Sequence, residues 1–351
     1  MILFIIVLIG IIMTTYALYA PFSIGKMVMK SVRSGGRWGR TLRSSALSMS
    51  SSASPLTHLR VCSWNVNGIR AVFKHDPTGD ALRSLFAKFQ PDVLCLQETK
   101  IQESHVDDVK EDFFRIHADL NPTHSYWSCS RGRKGYSGTA VILFGDALRP
   151  EDITVEYGIG NPDGDLEGRS ITLHHDLFSL VNVYVPNAGA ALKRLEYRID
   201  EWDAHLSDYM ERLQLENVGR RAILTGDMNV AHRAIDYHNP HNPATKKQAG
   251  TTPEEQASFE EKFLARRESL QAPLLVDSYR RLYPEGDGYS FYSARKGEGG
   301  RQRREGLRID YVLTNDHEEH SSDRGHEAYV EESVLHPYSD HCPVGATVRL
   351  L

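Results

Sequence analysis

The chain has 351 residues, of which 40% are hydrophobic and 25% are charged, so it is long enough for one large or two ordinary domains with a substantial core. The formal net charge is −5, but residues 1–58 carry six positive charges and no acid, which leaves −11 on the rest of the chain. This acidity argues against a protein that is basic over its whole surface, although it does not exclude a basic cleft that approaches phosphate with the help of a divalent cation. The four cysteines show no CxxC spacing, which excludes a dense disulfide framework and favours a reducing compartment.

Residues 1–58 are predicted to lie outside the folded domain. Residues 1–20 have no charged side chain and are long enough to span a bilayer. Residues 26–55 are rich in arginine and serine and lack acids, which is the composition of a mitochondrial transit segment. Two interpretations therefore stay open: a membrane anchor, or a targeting segment used if translation starts at Met27, Met29 or Met49. The folded domain is predicted for residues 59–351.

The first predicted elements alternate between strand and helix. Leu59–Ser63 has the pattern of a strand and is followed by Asn65 and Asn67. Asp80–Gln90 places apolar residues at helical spacing, and Asp92–Glu98 is a buried strand that ends in a carboxylate. This strand, helix, strand order indicates an α/β layer.

The middle of the chain predicts a mixed sheet and a long helix. The apolar run Gly138–Phe144 and the hairpin Arg169–Pro186 indicate strands, some of them neighbours through a hairpin. Apolar residues recur at steps of three and four over Leu192–Leu213, which predicts a helix packed by one face. Ala222–Leu224 then predicts a short buried strand that leads to Asp227 and Asn229.

The last third of the sequence predicts two long loops. Asn239–Thr252 is longer than a connection needs to be, so we regard it as a candidate functional loop. Thr252–Glu255 has the pattern of a capping box, which predicts a helix that continues to about Arg267. Ser293–Gly306 is predicted to be a flexible basic loop. Leu307–Leu313 predicts a strand, and a final strand follows near the end of the chain.

Polar side chains follow the predicted strands, where ligand sites of α/β proteins commonly lie. Asparagine and aspartate are ordinary turn residues, so any one of them alone indicates little. Together they supply hard oxygen ligands with a single histidine, a set that suits Mg²⁺ or Mn²⁺ better than zinc. The positions are Asn65, Asn67, Glu98, Tyr184, Asn187, Asp227, Asn229, Asp310, Asp340 and His341.

Such a set is suited to the hydrolysis of a phosphodiester, which needs a metal to neutralise phosphate, a base for water and a donor to the oxygens. Asn187 and Asn229 are able to donate neutral hydrogen bonds to phosphate. Asp310 is expected to hold His341 through one ring nitrogen and to raise the pKa of the imidazole, which favours an imidazolium that binds a phosphate oxygen.

Six short segments occur in an order that resembles the motifs of the exonuclease III type apurinic/apyrimidinic endonucleases. The resemblance spans residues 59–351. The segments are Ser63–Arg70, Leu96–Lys100, Tyr184–Gly189, Thr225–His232, Leu307–Tyr311 and Ser339–Pro343.

The resemblance implies an α/β fold, a four-layer sandwich of two packed mixed β-sheets flanked by helices. It also implies Mg²⁺-dependent cleavage of the phosphodiester 5′ to an abasic site, leaving a 3′ hydroxyl, with 3′–5′ exonuclease and 3′-phosphodiesterase as possible additional activities and Mn²⁺ as a possible alternative metal. The expected partner is double-stranded DNA that contains abasic sites. The protein is expected to be a monomer in the nucleus or mitochondrion, and to be anchored to a membrane only if residues 1–20 are retained.

The resemblance also implies roles for individual residues. Whether Asp227 or His341 takes the proton from water is left open. The implied metal ligands are Asn67, Glu98, Asp227, Asn229, Asp340 and His341. The implied catalytic residues are Tyr184, Asp227, Asn229, Asp310 and His341. The implied phosphate and DNA contacts are Asn65, Asn187, Tyr136 and Arg308, and the implied abasic pocket is Phe291, Leu307 and Ile309.

The sequence departs from the family pattern at three positions. Asn67 stands where some members have aspartate, which favours a single main Mg²⁺ site. Ala190 stands where some members place an arginine that reaches into DNA, and Leu307 where many have tryptophan, which implies a looser pocket. The basic run Arg301–Arg304 either contacts the DNA backbone or is an ordinary solvated insertion.

Two other functions stay open at this point. One is a different phosphodiesterase of the same superfamily, acting on a phosphoinositide, RNA or a sphingolipid. The other is a non-catalytic DNA-binding or membrane-tethered scaffold that kept the fold.

Overall fold

The computed structural model describes residues 56–317, 327–334 and 337–350. Its strands are β1 (His58–Asn65), β2 (Val93–Gln97), β3 (Pro122–Ser128), β4 (Thr139–Phe144), β5 (Thr154–Tyr157), β6 (Ser170–His174), β7 (Phe178–Tyr184), β8 (Arg221–Asp227), β9 (Arg266–Arg267), β10 (Ala272–Pro273), β11 (Val276–Asp277), β12 (Phe291–Tyr292), β13 (Gly306–Leu307), β14 (Asp310–Thr314), β15 (Ala328–Val330) and β16 (Val344–Arg349).

The α-helices are mostly short and lie between the strands. They are α1 (Ile69–His75), α2 (Asp80–Phe89), α3 (Val106–Ile116), α4 (Pro162–Leu166), α5 (Asp203–Glu216), α6 (Pro253–Phe259), α7 (Ser278–Leu282) and α8 (Gly297–Gln302). Two π-helical segments adjoin them: Tyr197–Trp202 leads into α5, and Glu260–Leu264 continues α6.

Two mixed sheets of six strands form the centre of the fold. The first has the order β15-β16-β1-β2-β4-β3 and the second has the order β11-β14-β8-β7-β6-β5. Each contains one parallel pair at its middle, β1 with β2 and β7 with β8. Inner side chains of both sheets pack into one buried cluster that includes Val61, Cys95, Val141, Leu180 and Ile223.

Helices cover the outer face of each sheet. Helices α2 and α3 pack on the first sheet through Leu82, Leu85 and Phe113. Helices α5 and α6 pack on the second sheet through Leu206 and Phe259. The predicted four-layer sandwich of two mixed sheets flanked by helices is therefore confirmed.

The predicted long helix differs from the structure at its start. The helical turns before Asp203 are π-helical over Tyr197–Trp202 and become α-helical only in α5. A spacing of three and four residues does not distinguish an α-turn from a wider π-turn, which is why the sequence did not show this. The Thr252 capping box is present, with its hydroxyl accepting from the Glu255 amide and Glu255 bonding back to the Thr252 amide.

The segment Ser293–Gly306 is not the loop that the sequence predicted, since residues 297–302 form α8. The sequence did not indicate this helix, because the helix contains three glycines and has no apolar residues at helical spacing. The segment is tied together by ion pairs of Glu305 with Lys296 and Arg303.

Among the residues that the structure describes, none of the helices combines the length and the apolar composition needed to cross a membrane. The predicted apolar segment 1–20 and the basic leader up to residue 55 lie outside the described residues.

Strand β8 sets the positions of the polar groups at one edge of the second sheet. Its last residue, Asp227, lies opposite Tyr184 at the end of β7 and opposite Asp310 at the start of β14. The preceding Gly226 has φ 137°, and a Cβ atom there would lie 1.9 Å from the Val183 carbonyl oxygen. Glycine thus permits the close approach of β7 that brings Tyr184 beside Asp227.

Candidate active site

An asparagine amide joins carboxylates that follow strands of different sheets. Asn65 Nδ2 donates to Glu98 Oε1 and to Asp227 Oδ2, both at 2.9 Å, and the Asn65 side chain is fully buried. Because both amide hydrogens are used by carboxylates, Asn65 is not available to phosphate, contrary to the sequence prediction. It instead holds Glu98 and Asp227 close to each other.

His341 lies against Asp310 as predicted. Its Nδ1 is 2.8 Å from Asp310 Oδ2, which also accepts from the Ser290 hydroxyl at 2.7 Å. Burial alone would lower the pKa of the imidazole, but the charge and hydrogen bond of Asp310, with Asp227 and Asp340 nearby, raise that pKa to about 10. His341 is therefore an imidazolium at neutral pH.

Asp227 is a buried carboxylate among other acids. Its Oδ2 is 3.9 Å from His341 Nε2, and its Oδ1 accepts from the Asn229 amide at 2.8 Å. Burial, followed by the charge of Asp310 and further by that of Glu98, raises the pKa of Asp227 to about 7, although His341 opposes this. The group can thus change protonation near neutral pH.

The described residues include one cluster with ligand atoms close enough to share a metal ion, and it is formed by Glu98, Asp227 and His341 within 4.8 Å. The carboxylates of Glu98 and Asp227 fit a divalent cation, whereas His341, held as an imidazolium by Asp310, has no lone pair to offer a metal. The cluster already attracts a positively charged side chain, because the Lys100 ammonium nitrogen Nζ lies 2.8 Å from Glu98 Oε2. Burial alone would raise the pKa of Glu98, but Lys100 together with Asn65 and His341 outweighs it and lowers that pKa.

Asn67 and Asp340 line the same site and bond to each other, Asn67 Nδ2 donating to Asp340 Oδ1 at 2.9 Å. The side-chain oxygen Oδ1 of Asn67 also accepts from Lys100 Nζ. These two predicted metal ligands therefore lie beside the cluster of Glu98, Asp227 and His341.

Asn229 was predicted both as a metal ligand and as a phosphate donor, and its side-chain amide is engaged on both sides. Its Oδ1 accepts from Asn187 Nδ2 and its Nδ2 donates to the Val185 carbonyl, each at 2.8 Å. The oxygen that a metal would need thus already accepts a hydrogen bond from Asn187, and the role of Asn229 as a metal ligand stays a prediction. Asn187 keeps a second amide hydrogen.

Three of the predicted site residues have a left-handed backbone that side chains rarely adopt. The φ angles are 48° at Asn67, 51° at Glu98 and 51° at Asn229. Such conformations cost about 1–3 kcal/mol each and persist where the surrounding structure enforces them, often at functional sites. The strain is consistent with a site that is held in one geometry.

Tyr184 packs against a buried arginine that the sequence did not indicate. The Arg169 guanidinium lies 4.6 Å from the centre of the Tyr184 ring and donates to the Tyr184 carbonyl at 2.9 Å and to the Tyr136 hydroxyl at 2.9 Å. Burial, and then the charge of Glu98, raises the pKa of Tyr184 well above its ordinary value, while Arg169 opposes this. Tyr184 therefore carries its proton at neutral pH.

The predicted abasic pocket forms one apolar cluster. Phe291 and Leu307 pair across β12 and β13 and pack with Ile309, Ala231 and Tyr237. Of these side chains, Phe291, Leu307 and Ile309 line the same cavity as the acidic cluster.

Arg308 does not reach this cavity. Its side chain is 1% exposed and donates to Asp236 and Asp277, each at 2.7 Å. Side chains alternate along an extended chain, so Arg308 faces away from Leu307 and Ile309. The predicted DNA contact is wrong for this reason.

The cavity that joins these groups has a volume of about 380 Å³. The loop predicted to be functional contributes Gln248, Ala249 and Gly250, and the basic segment contributes Lys296. A larger cavity of about 650 Å³ lies along β3 and α3 and contains none of the predicted site residues. The convergence of acids, histidine and apolar side chains identifies the smaller cavity as the candidate active site.

Sequence reasoning missed Lys100, Arg169 and Lys296 as parts of the site. Lys100 lies inside the Leu96–Lys100 motif, two residues after Glu98, and that spacing was the only signal. Arg169 and Lys296 are brought to the site by pairing between distant segments, which no local pattern reveals.

Known proteins are similar to this chain in sequence and in fold. A DNA-(apurinic or apyrimidinic site) endonuclease of Dictyostelium discoideum is 38% identical over 301 residues, covering 83% of this chain and 71% of that protein. An exodeoxyribonuclease of Bacillus subtilis is 37% identical and covers 83% of this chain and its own whole length. The crystal structure of an AP endonuclease from Leishmania major superposes with a TM-score of 0.66 at 29% identity, covering 85% of this chain and 89% of that one.

The family model with the description Endonuclease/Exonuclease/phosphatase family matches residues 62–341. That range contains all the residues of the candidate active site. The chain belongs to the endonuclease/exonuclease/phosphatase family.

Proposed function

We propose that this protein is a DNA repair nuclease that hydrolyses the phosphodiester on the 5′ side of an abasic site and leaves a 3′ hydroxyl. The observation that carries the proposal is that one cavity joins the acidic cluster of Glu98, Asp227 and His341 to the apolar wall of Phe291, Leu307 and Ile309. The first part is suited to phosphate, and the second part is suited to a sugar without a base. The names of the relatives in Dictyostelium and Leishmania support the same activity.

The phosphate is bound by groups that carry or donate hydrogens. His341 is held as an imidazolium by Asp310 and presents Nε2 to the cavity, so it attracts a phosphate oxygen. Asn187 donates its second amide hydrogen, and Tyr184, whose pKa is well above its ordinary value, donates its hydroxyl proton. These donors stabilise charge on the phosphate oxygens during attack.

Asp227 takes the proton from the attacking water. Its pKa of about 7 lets it accept a proton at neutral pH. His341 is already protonated in that range and its Nδ1 is engaged by Asp310, so it has no free lone pair for this task. The geometry therefore favours Asp227 over His341 as the base.

A divalent cation, for which we propose Mg²⁺, would be held by Glu98 with Asp227, Asn67 and Asp340 close by. When bound, such an ion neutralises phosphate charge and polarises the bond to phosphorus. The oxygen-rich donor set supports Mg²⁺ over zinc, with Mn²⁺ as an alternative.

The test of the proposed function is nicking of a DNA duplex that contains one tetrahydrofuran abasic analogue. We expect a single cut 5′ to the analogue in Mg²⁺, and none in EDTA or in the same duplex without the analogue. Asp227→Asn should reduce the rate by about 10³-fold or more while duplex binding stays within about threefold. Asp208→Asn, an exposed position on α5, is the matched control and should cut normally.

Equal cutting of undamaged DNA, or a fully active Asp227→Asn protein, would contradict the proposal. Faster hydrolysis of RNA, a phosphoinositide or sphingomyelin than of abasic DNA in direct competition would show that the protein is a different phosphodiesterase of the same superfamily. Binding of the duplex without any cutting would leave only the scaffold function.

The metal proposal is tested through Glu98. Glu98→Gln should raise the Mg²⁺ concentration for half-maximal nicking by at least about tenfold, because a charged ligand is lost. It should also abolish the rise in melting temperature that Mg²⁺ gives the wild-type protein. Glu103→Gln, an exposed neighbour, should behave like wild type, and an unchanged metal titration for Glu98→Gln would remove Glu98 as a ligand.

A further inference from the structure

We infer that Arg198 is a positioning residue for the phosphate donor Asn187 and for Asn229, which holds Asn187 through a hydrogen bond, and that it acts from beneath the cavity without touching the substrate. The inference rests on the proposed function for its kinetic consequence. Its structural consequence is independent of the proposed function: Arg198 should make the segments after β7 and β8 and the loop at residues 239–252 rigid.

Arg198 is buried, with 1% of its surface exposed, and it points toward backbone carbonyls that follow β7 and β8. Its guanidinium donates to the Met228 oxygen at 2.8 Å, to the Asn229 oxygen at 2.9 Å and more weakly to the Pro186 oxygen at 3.4 Å. Pro186 directly precedes Asn187, and Met228 lies between Asp227 and Asn229. One side chain thus bridges the two segments that carry Asn187 and Asn229.

The same guanidinium is linked to a third loop. It lies 3.7 Å from Glu255 Oε1, and the other oxygen of Glu255 accepts from the Gly250 amide at 2.7 Å and from the Thr252 hydroxyl at 2.8 Å. Gly250 lines the cavity, and its carbonyl accepts from the Ala231 amide at 2.7 Å. The loop after β8 and the loop at residues 239–252 therefore meet at one buried charge.

These contacts differ from those of an ordinary buried ion pair. The Arg198 guanidinium lies 3.7 Å from the Glu255 carboxylate and 3.9 Å from the Asp203 carboxylate, both beyond hydrogen-bond distance. Its short contacts all go to backbone carbonyl oxygens. Burying a charge is costly and is hard to explain as a means of stabilising the fold. A planar guanidinium that is able to bond two carbonyls at once instead fixes their spacing, which lysine does not do.

Two further observations support positioning. Asn229 has φ 51°, a conformation that needs support from its surroundings, and Arg198 bonds its carbonyl directly. Arg198 itself lies in the π-helical segment Tyr197–Trp202. Such wide turns are rare and frequently occur at functional sites.

The kinetic test combines Arg198→Met and Arg198→Lys with Asn229→Ala on the abasic duplex. Misplacing groups by about 1 Å costs about 100-fold in rate, so we expect kcat to fall about 100-fold for Arg198→Met and about tenfold for Arg198→Lys, with KM little changed. When Asn229 is already alanine, adding Arg198→Met should lower kcat by less than about threefold further, because both changes act through the same pair of asparagines.

Arg221 offers a matched control at the opposite end of β8, where its Nε donates to the Arg349 carbonyl at 2.8 Å. Arg221→Met should leave kcat within about threefold of wild type. The inference is overturned if Arg198→Met keeps wild-type kcat, or if its effect and that of Asn229→Ala simply multiply.

Hydrogen exchange separates this inference from the proposed function. Arg198→Lys, which keeps the buried charge if Arg198→Met does not fold, should speed amide exchange at residues 229–231 and 250–252 by about tenfold, whereas Arg221→Met should not. If the wild-type protein fails to nick abasic DNA, the proposed function fails, and faster exchange at these loops still supports Arg198 as their link. Unchanged exchange in both loops overturns it.

Discussion

The residue with the most unusual environment is Asp227, which lies buried between Glu98 and Asp310 and is offset only in part by His341. A carboxylate in such a place is more easily protonated in the folded protein than in the unfolded chain. The arrangement that suits Asp227 for accepting a proton therefore lowers the stability of the fold, as is common for active-site groups.

This cost predicts a pH dependence of stability. Because the folded pKa of Asp227 is raised from 3.8 to about 7, the folded state binds more protons between these values, so Asp227 lowers the free energy of unfolding as pH rises through that window. Asp227→Asn removes the titration. The mutant should gain at least about 1 kcal/mol over wild type from pH 4 to pH 7, measured by urea denaturation in EDTA.

Asp208→Asn is the control for this experiment and should follow wild type at every pH, because the side chain is exposed. A difference between Asp227→Asn and wild type that does not change with pH would show that the pKa of Asp227 is not raised. The gain should level off above pH 7, where the carboxyl of Asp227 is ionised in both states.

At the scale of elements, the position of β8 decides which side chains meet. It lies between β7 and β14, so a single strand end places Asp227 beside both Tyr184 and Asp310. The parallel pairing with β7 leaves no room for a side chain at Gly226, where a Cβ would meet the Val183 oxygen at 1.9 Å. The Thr225–His232 motif therefore combines chemistry at Asp227 with a packing requirement one residue earlier.

Gly226→Ala should destabilise the protein by about 3 kcal/mol, since both the clash and the positive φ oppose a side chain. It should also slow nicking by moving Asp227. Gly219→Ala is the matched control, because Gly219 also has positive φ but no atom lies within 4 Å of a Cβ there. We expect Gly219→Ala to lower the free energy of unfolding by only about 1–2 kcal/mol. If urea denaturation showed the same loss of stability for both variants, the role of close packing at Gly226 would be contradicted.

At the scale of the whole molecule, an acidic protein binds an acidic polymer by concentrating positive groups in one place. Lys296 lines the cavity, Lys100 lies beside Glu98, Arg169 lies buried against Tyr184, and His341 adds a further positive charge. Acids elsewhere on the surface do not prevent binding, because their fields are screened over about 10 Å at ordinary salt. The sequence charge of −11 outside the leader is thus compatible with DNA as substrate.

The subcellular localisation and the oligomeric state are also predictions at the scale of the whole molecule. We expect a monomer, to be measured by light scattering at several protein concentrations. Tagged chains that start at Met1 and at Met27 should both reach the nucleus or mitochondrion if residues 1–20 are not used as an anchor. Exclusive staining of the endoplasmic reticulum from both starts would contradict this localisation.

The sequence by itself determined the order of the elements and the residues that bear the chemistry. Apolar runs that end in Asn65, Glu98 and Asp227 are local patterns, and each has a physical meaning that does not depend on the rest of the chain. Asp310 and His341 lie in two separate motifs 31 positions apart, and the contact between them was predicted from the expectation that polar groups at strand ends share one edge of the fold.

Only the tertiary structure decided which partner each of these side chains bonds to. It turned the amide of Asn65 toward two carboxylates, used the oxygen of Asn229 for Asn187, and buried Arg308 among acids. It also brought Arg198 under loops that are distant in sequence. These outcomes depend on pairings between residues some 30 to 160 positions apart, and a hydrogen bond over such a separation is fixed by packing rather than by any local pattern.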